Sequence, residues 1–230
     1  MSQLIDNLNI IESVKTDIKT ALENKGVDMT GVSFPGYASK IGEISGGGGW
    51  DQKSVTEGAV DIINLDNSAS FVASNAFRNS TTIQTVNLPY TTTVGNNAFY
   101  GCTSLTQMSI PMCSYIGDYA FHNCSSLSQA SLPMCSYIGG YAFQNCSSLS
   151  QVSLPMCSFI AVLAFRSCSS LSIITIGYSG VCSLSASNAF SRTPIASGIG
   201  SIYVPSSLVS DYQSATNWSY FSTQIFPIPE

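Results

Sequence analysis

The segments Ala120-Phe-His-Asn-Cys-Ser-Ser-Leu127 and Ala142-Phe-Gln-Asn-Cys-Ser-Ser-Leu149 differ at one position and lie 22 residues apart. Their Ala-Phe pair also occurs at Ala76-Phe77, Ala98-Phe99 and Ala164-Phe165, on the same 22-residue period. Between successive pairs comes an apolar-Pro step: Leu88-Pro89, Ile110-Pro111, Leu132-Pro133 and Leu154-Pro155. A unit this short cannot bury an apolar face alone. A fixed period in this range therefore means copies stacked on one another, a solenoid.

Aligned on that period, Ile83, Leu105, Leu127, Leu149 and Leu171 form one apolar column. Val86, Met108, Ala130, Val152 and Ile174 form a second, and Leu88, Ile110, Leu132, Leu154 and Ile176 a third. The last two are two residues apart, the alternation of a strand with one face turned inward. Each unit is thus expected to carry a strand, with neighbours adding in parallel at about 4.8 Å. Proline ends the strand because it has no N–H for the ladder. Val94, Ile116, Ile138 and Ile160, with the Ala-Phe pairs, supply the opposite wall. Five coils run to about Gly177. Val181 to Ile195 is a degenerate sixth, since Ala189-Phe190 follows Ala164-Phe165 by 25 residues. Ile202-Tyr203-Val204-Pro205, a short helix and Trp218 to Phe226 then close the stack, because a terminal coil must cover an apolar face.

Ahead of the repeats, Leu4, Leu8, Ile11, Ile18 and Leu22 follow helical spacing and predict a helix over residues 1 to about 25. Its stripe suits either a short parallel oligomer, such as a trimer, or docking on a neighbouring domain. The helical module is read as residues 1–45, and Gly46 to Gly49 place a linker at 46–50. That glycine run lacks the Lys-Ser/Thr of a phosphate-binding loop. The solenoid with its N-terminal cap is assigned to 51–205 and the C-terminal cap to 206–230.

The 230-residue chain has a formal net charge of −5, which argues against nucleic acid as a partner, since that demands a basic footprint. From Asn79 to Thr175 only Asp118 and Arg166 are charged. The start, Met1-Ser-Gln-Leu-Ile-Asp-Asn, has neither the basic region nor the apolar core of a secretory signal. No stretch approaches the roughly 18 apolar residues that span a bilayer. A chain made in the cytoplasm and not inserted in a membrane is expected.

The repeat resembles the BspA-type leucine-rich repeat: Ala-Phe, two or three residues, Cys, two residues, Leu, two residues, an apolar residue, one residue, then Leu-Pro. The likeness covers about residues 70–205 and implies a stack of five to six coils with a parallel sheet. Proteins with this repeat commonly act as bacterial or protozoan surface adhesins. The ends add a second resemblance. Lys25-Gly-Val-Asp28, Phe34 and Tyr37-Ala-Ser-Lys-Ile41 look like N-terminal modules of tail and virion-associated proteins of gut bacteriophages. Tyr203-Val-Pro-Ser-Ser-Leu-Val, Tyr212 and Asn217-Trp218 look like the terminal segment of bacterial and phage repeat proteins. Together these imply a phage tail or virion-surface component that contacts a bacterial host and is made in the host cytoplasm. The N-terminal helix would bind other virion proteins. A bacterial cell-surface adhesin is the alternative, and an accessory domain of a glycan-processing enzyme a further one.

The residues offer little chemistry. Cys102, Cys124, Cys146 and Cys168 occupy the repeat's position before leucine, Cys113, Cys135 and Cys157 follow Pro-Met, and Cys182 stands apart. Without a Cys-x-x-Cys, and with His122 the one histidine, a zinc site has no converging ligand set. Buried free thiols are expected rather than disulfides. His122 falls in a variable slot shared with Arg78, Tyr100, Gln144 and Arg166, which reads as a solvated edge. Asp118 has no paired carboxylate for glycoside hydrolysis. No catalytic, cofactor or metal residue is assigned. The outward strand positions Gln107, Gln129 and Gln151, with Ser109, Ser131 and Ser153 beside them, form a neutral amide and hydroxyl face. Tyr115 and Tyr137 lie in another column, flanked by Tyr119 and Tyr141. Such a surface can bind a bacterial glycan or protein, as paratopes rich in Tyr, Ser and Asn do.

Overall fold

The computed structural model of the chain describes residues 62–64, 70–177 and 179–229, which lie in a compact unit running from Val55 to Glu230. The expected helical module and glycine linker fall outside the described residues. Each coil brings two strands rather than one. The first set follows the leucine column: β1 (Ile62–Asn64), β3 (Thr85–Asn87), β5 (Gln107–Ser109), β7 (Gln129–Ser131), β9 (Gln151–Leu154) and β11 (Ile173–Ile176). β13 (Ser201–Val204) and, in the C-terminal cap, β14 (Ile225–Pro227) extend it. The second set is β2 (Phe71–Val72), β4 (Thr93–Val94), β6 (Tyr115–Ile116), β8 (Tyr137–Ile138), β10 (Phe159–Ile160) and β12 (Ser183–Leu184), a six-stranded parallel sheet. Two-residue strands are too short to show alternation in sequence, so only their inward apolar residue was legible there.

Within each sheet, register keeps the columns aligned. Gln129 pairs with Gln151, Ser131 with Ser153 and Tyr115 with Tyr137. The Ala-Phe segments make a third ladder without being strands: the amides of Phe77, Phe99, Phe121 and Phe143 donate to the carbonyls of Ala98, Ala120, Ala142 and Ala164 at 2.7–2.8 Å. In the first set the ladder is interrupted once, between β5 and β7. There Met108, which stays partly exposed, adjoins Ala130 in a column whose other described members are buried.

Two residues per coil take left-handed backbone. One column is Asn75, Asn97, Tyr119, Tyr141 and Leu163, with φ between 56° and 64°, and the other is Asn79, Gly101, Asn123, Asn145 and Ser167, between 59° and 72°. Asparagine and glycine tolerate this region, and bulky side chains do so at a cost. Close stacking also demands glycine at Gly139, where a Cβ would meet the Gly117 carbonyl carbon at 2.6 Å.

The phenylalanine ladder is the centre of the core. Phe77, Phe99, Phe121, Phe143, Phe165 and Phe190 stack with centroids 5.1–5.6 Å apart and planes within 15°. Stacking adds to the large apolar area each ring buries. The cap stops the ladder with one perpendicular and one tilted ring. Phe221 meets Phe190 edge-on at 5.5 Å, and Trp218 lies tilted at 5.9 Å. Trp218 Nε1 donates to the Cys182 carbonyl at 2.6 Å, and the Cys182 amide donates to the Tyr212 hydroxyl at 2.8 Å. Beyond the short helix Val209–Ser214, the final strand carries Pro227, which cannot donate to a further strand.

Candidate functional site

The groups with the most reactive chemistry are absorbed by the fold. All eight cysteines are free and buried. The thiols of Cys102, Cys124, Cys146 and Cys168 donate to the carbonyls of Phe77, Phe99, Phe121 and Phe143 at 3.0–3.2 Å. Burial pushes Cys102 up to about 12 and Cys113 up to about 11, so both stay protonated and unreactive. Asp118 is structural too: its Oδ1 accepts the Gly140 amide at 2.7 Å, while its own amide donates to Asn96 Oδ1 at 3.0 Å. Among the described residues no group of three or more His, Cys, Asp and Glu could hold a metal ion.

His122 corrects the sequence expectation of a solvated edge. It is 9 % exposed. Its ring stacks on Tyr100 at 4.7 Å and leans on Tyr119 at 5.6 Å, and the Arg78 guanidinium lies 4.5 Å over the Tyr100 ring. Equivalent slots of successive coils superpose, so planar groups placed there cover one another. Burial lowers the His122 pKa, and Nδ1 has no hydrogen-bond partner among the described atoms.

What remains is surface, and it carries two kinds of hydroxyl. Thr92, Ser114, Ser136 and Ser158 each donate to the carbonyl one coil back, at 2.9–3.1 Å, and so tie the coils together. Ser109, Ser131 and Ser153 do not. Their hydroxyls, like the side-chain amides of Gln107, Gln129 and Gln151, have no hydrogen-bond partner among the described residues, although the backbone carbonyls of Ser109 and Ser153 accept from Leu88 and Leu132. The three glutamines, Ser109 and Ser131 are exposed and Ser153 is half-buried. Over Ala130 and Val152, these columns frame a groove of about 120 Å³ lined by Gln129, Ser131, Gln151, Ser153, Ile173 and Thr175. Ile173 and Thr175 were not singled out from the sequence. Extending the alternation around Ile174 by one coil would have found them.

The tyrosines belong elsewhere. Both strand sets turn residues into one core, so their outward columns face away from it on different sides. Tyr115, Tyr137 and Phe159 stack on the outer face of the second sheet at 4.8 and 5.1 Å. Tyr119 and Tyr141, on left-handed backbone, stack at 4.6 Å beside it. Burial and then neighbouring tyrosine and Asp118 charge raise the pKa of Tyr119 and of Tyr137, which ties the two columns to one neighbourhood. The ten candidate residues thus form two surfaces, not one. Stacking also covers the ring faces and leaves mainly edges and hydroxyls outward. A further exposed column, Tyr90, Met112, Met134 and Met156 at 48–50 %, falls in the turns between the two strand sets; its methionines were read from sequence only as neighbours of Pro and Cys, and Tyr90 was not singled out.

The chain is similar over part of its length to two solved repeat proteins. A leucine rich cell surface protein from Faecalibacterium prausnitzii is 23% identical, with a TM-score of 0.37, over 50% of this chain and 38% of its own. The chain therefore spans well under half of that protein's length. A leucine-rich repeat protein of T. pallidum is 25% identical, with a TM-score of 0.44, over 60% of this chain and 79% of its own. No curated protein sequence matches the chain. The profile described as a BspA type leucine rich repeat region matches in 6 copies, over residues 56–172 and 92–220. With that coverage, two-sheet coils in strict register and the Ala-Phe, Cys, Leu and Leu-Pro columns in their expected places, the chain belongs to the BspA-type leucine-rich repeat family.

Proposed function

We propose that this protein is a non-enzymatic recognition module that presents the strand face of its solenoid to a bacterial surface ligand. The observation that carries this reading is the division of its hydroxyls. The serines before the second-sheet strands serve the fold, whereas the side chains of the amide and serine columns on β5, β7 and β9 have no hydrogen-bond partner among the described residues, and those on β7 and β9 stand in register. A rigid sheet holds these groups in place before binding, so little entropy is lost on contact.

The ends of the sequence favour display on a phage tail, with residues 1–25 as the oligomerising attachment. Display on a bacterial cell is the other mounting of the same module, and it fits the family's membership of surface proteins. Among the described residues no helix is long and apolar enough to cross a membrane, so either mounting would rest on other segments or partners. A mass measurement in solution tests the attachment: a trimer supports it and a monomer removes it. The binding reading is tested by replacing Gln129 and Gln151 together with glutamate. Loss of host-cell binding with an unchanged unfolding midpoint is expected, and unchanged binding would rule out the strand face as the site.

A further inference from the structure

The shape and period of the groove narrow the ligand class, an inference that rests on the strand face being the binding surface. Three properties bear on it. The first is charge. The six outward lining residues are Gln129, Ser131, Gln151, Ser153, Ile173 and Thr175, all neutral. An anionic or cationic polymer would be desolvated here without compensation. The amides and hydroxyls both donate and accept, as the hydroxyl and acetamido groups of sugars do.

The second property is depth. Small-molecule pockets usually enclose about 300–1,000 Å³, and this groove holds about 120 Å³. A ligand must lie along it rather than enter it. Protein hot spots are also usually Trp, Tyr or Arg, none of which lines the groove.

The third property is interval. Coils stack evenly through this region: the Phe121–Phe143 and Phe143–Phe165 centroids are 5.2 and 5.3 Å apart, and those of Tyr115 and Tyr137 are 4.8 Å apart. Each coil offers one rung, so a ligand that meets every rung must place one polar unit at each such interval. An extended peptide advances about 3.3 Å per residue and returns a side chain to one face only every ~6.6 Å, so it falls out of step within two rungs. A sugar ring in a straight β-1,4-linked chain advances about as far as a coil is thick. Successive rings are turned over, but each still brings hydroxyls to its rung, and amides and hydroxyls that both donate and accept can meet either orientation.

We infer that the groove binds a neutral, extended, β-1,4-linked polysaccharide lying along the solenoid axis, one ring per coil. Gln129 with Ser131 and Gln151 with Ser153 hydrogen-bond successive rings, and Ile173 meets the apolar face of the next. The experiment is calorimetric titration of the full chain with β-1,4-linked oligomers of N-acetylglucosamine and of glucose, from single rings to hexamers, beside α-1,4-linked glucose oligomers, which coil. Affinity for one β-linked series is expected to climb with each ring up to about the number of rungs and then level off. Gln151→Ala, at the central rung, is expected to weaken trimer binding about tenfold without moving the unfolding midpoint. Equal affinity for single rings and oligomers, equal affinity for the coiled series, or no binding in any series overturns the inference. Host-cell binding by the Gln129→Glu, Gln151→Glu double variant separates the two levels. If that variant loses cell binding while no oligomer binds, the strand face stands as the site and the polysaccharide assignment falls. If it still binds cells, the strand face itself falls.

Discussion

The phenylalanine ladder and the glutamine column repeat on the same 22-residue period, one inside the core and the other on the surface of the same coils, and they are held by different forces. Phe99, Phe121, Phe143 and Phe165 are fully buried, ring upon ring, with their backbones bonded to the next coil. Gln107, Gln129 and Gln151 are exposed, and their side chains bond to nothing described. Repetition alone therefore does not reveal whether a column builds the fold or uses it. What distinguishes them is whether each member satisfies its neighbour. The ladder does so through contact, the second-sheet serines do so through carbonyls one coil back, and the glutamines do not.

The comparison breaks hardest from inside. Phe143→Ala removes a ring from mid-ladder, where two flanking rings cannot collapse into the gap. A loss of about 3–5 kcal/mol is expected by chemical denaturation. A loss below 1 kcal/mol would mean that the coils do not depend on the stack. Acid attacks the half-way case, the covered slot of His122. Its pKa is lowered by burial, so the unfolded chain binds the proton more tightly. The contribution is fully present above the unfolded value of about 6.5 and is lost as pH falls through and below it. Thermal melts of the protein should therefore drop on that acid side more steeply than those of His122→Gln, and parallel curves would refute the burial argument.

Smaller effects sharpen the boundary. Asp118→Ala leaves the Gly140 amide without its acceptor and should cost about 1 kcal/mol, the usual net value of such a bond; a neutral result would make Asp118 mere surface. Leu163→Asn replaces a bulky residue at φ 57° with the type used at Asn75 and Asn97, and a gain of roughly 0.5 kcal/mol is expected from the relieved backbone. Gln129→Ala should lie within about 0.5 kcal/mol of the parent. A larger loss there would move the glutamines from the user's side of the comparison to the builder's.

Much of this was readable in the chain itself. The inward columns, the parallel stack and its five to six coils follow from apolar residues recurring at fixed offsets. The second sheet was half visible, since Ile116 and Ile138 marked its inner side but a two-residue strand leaves no alternation to detect. The candidate surface was legible as Gln and Ser columns, although the tyrosines could not be assigned to a different wall. Which side of the core Tyr115 occupies depends on how the chain turns at Met112-Cys113-Ser114. The same holds for His122, whose type and slot suggested water until Tyr100 and Tyr119 were found against it.

By itself the sequence determined the period, the inward faces and the near-absence of charge, because those are one-dimensional patterns that any stacked arrangement must respect. Only the tertiary structure decided which polar groups are spent on the fold and which are left for a partner. A hydrogen bond between coils joins residues 22 apart, and whether a serine reaches that carbonyl or faces open water depends on direction, which residue type does not encode.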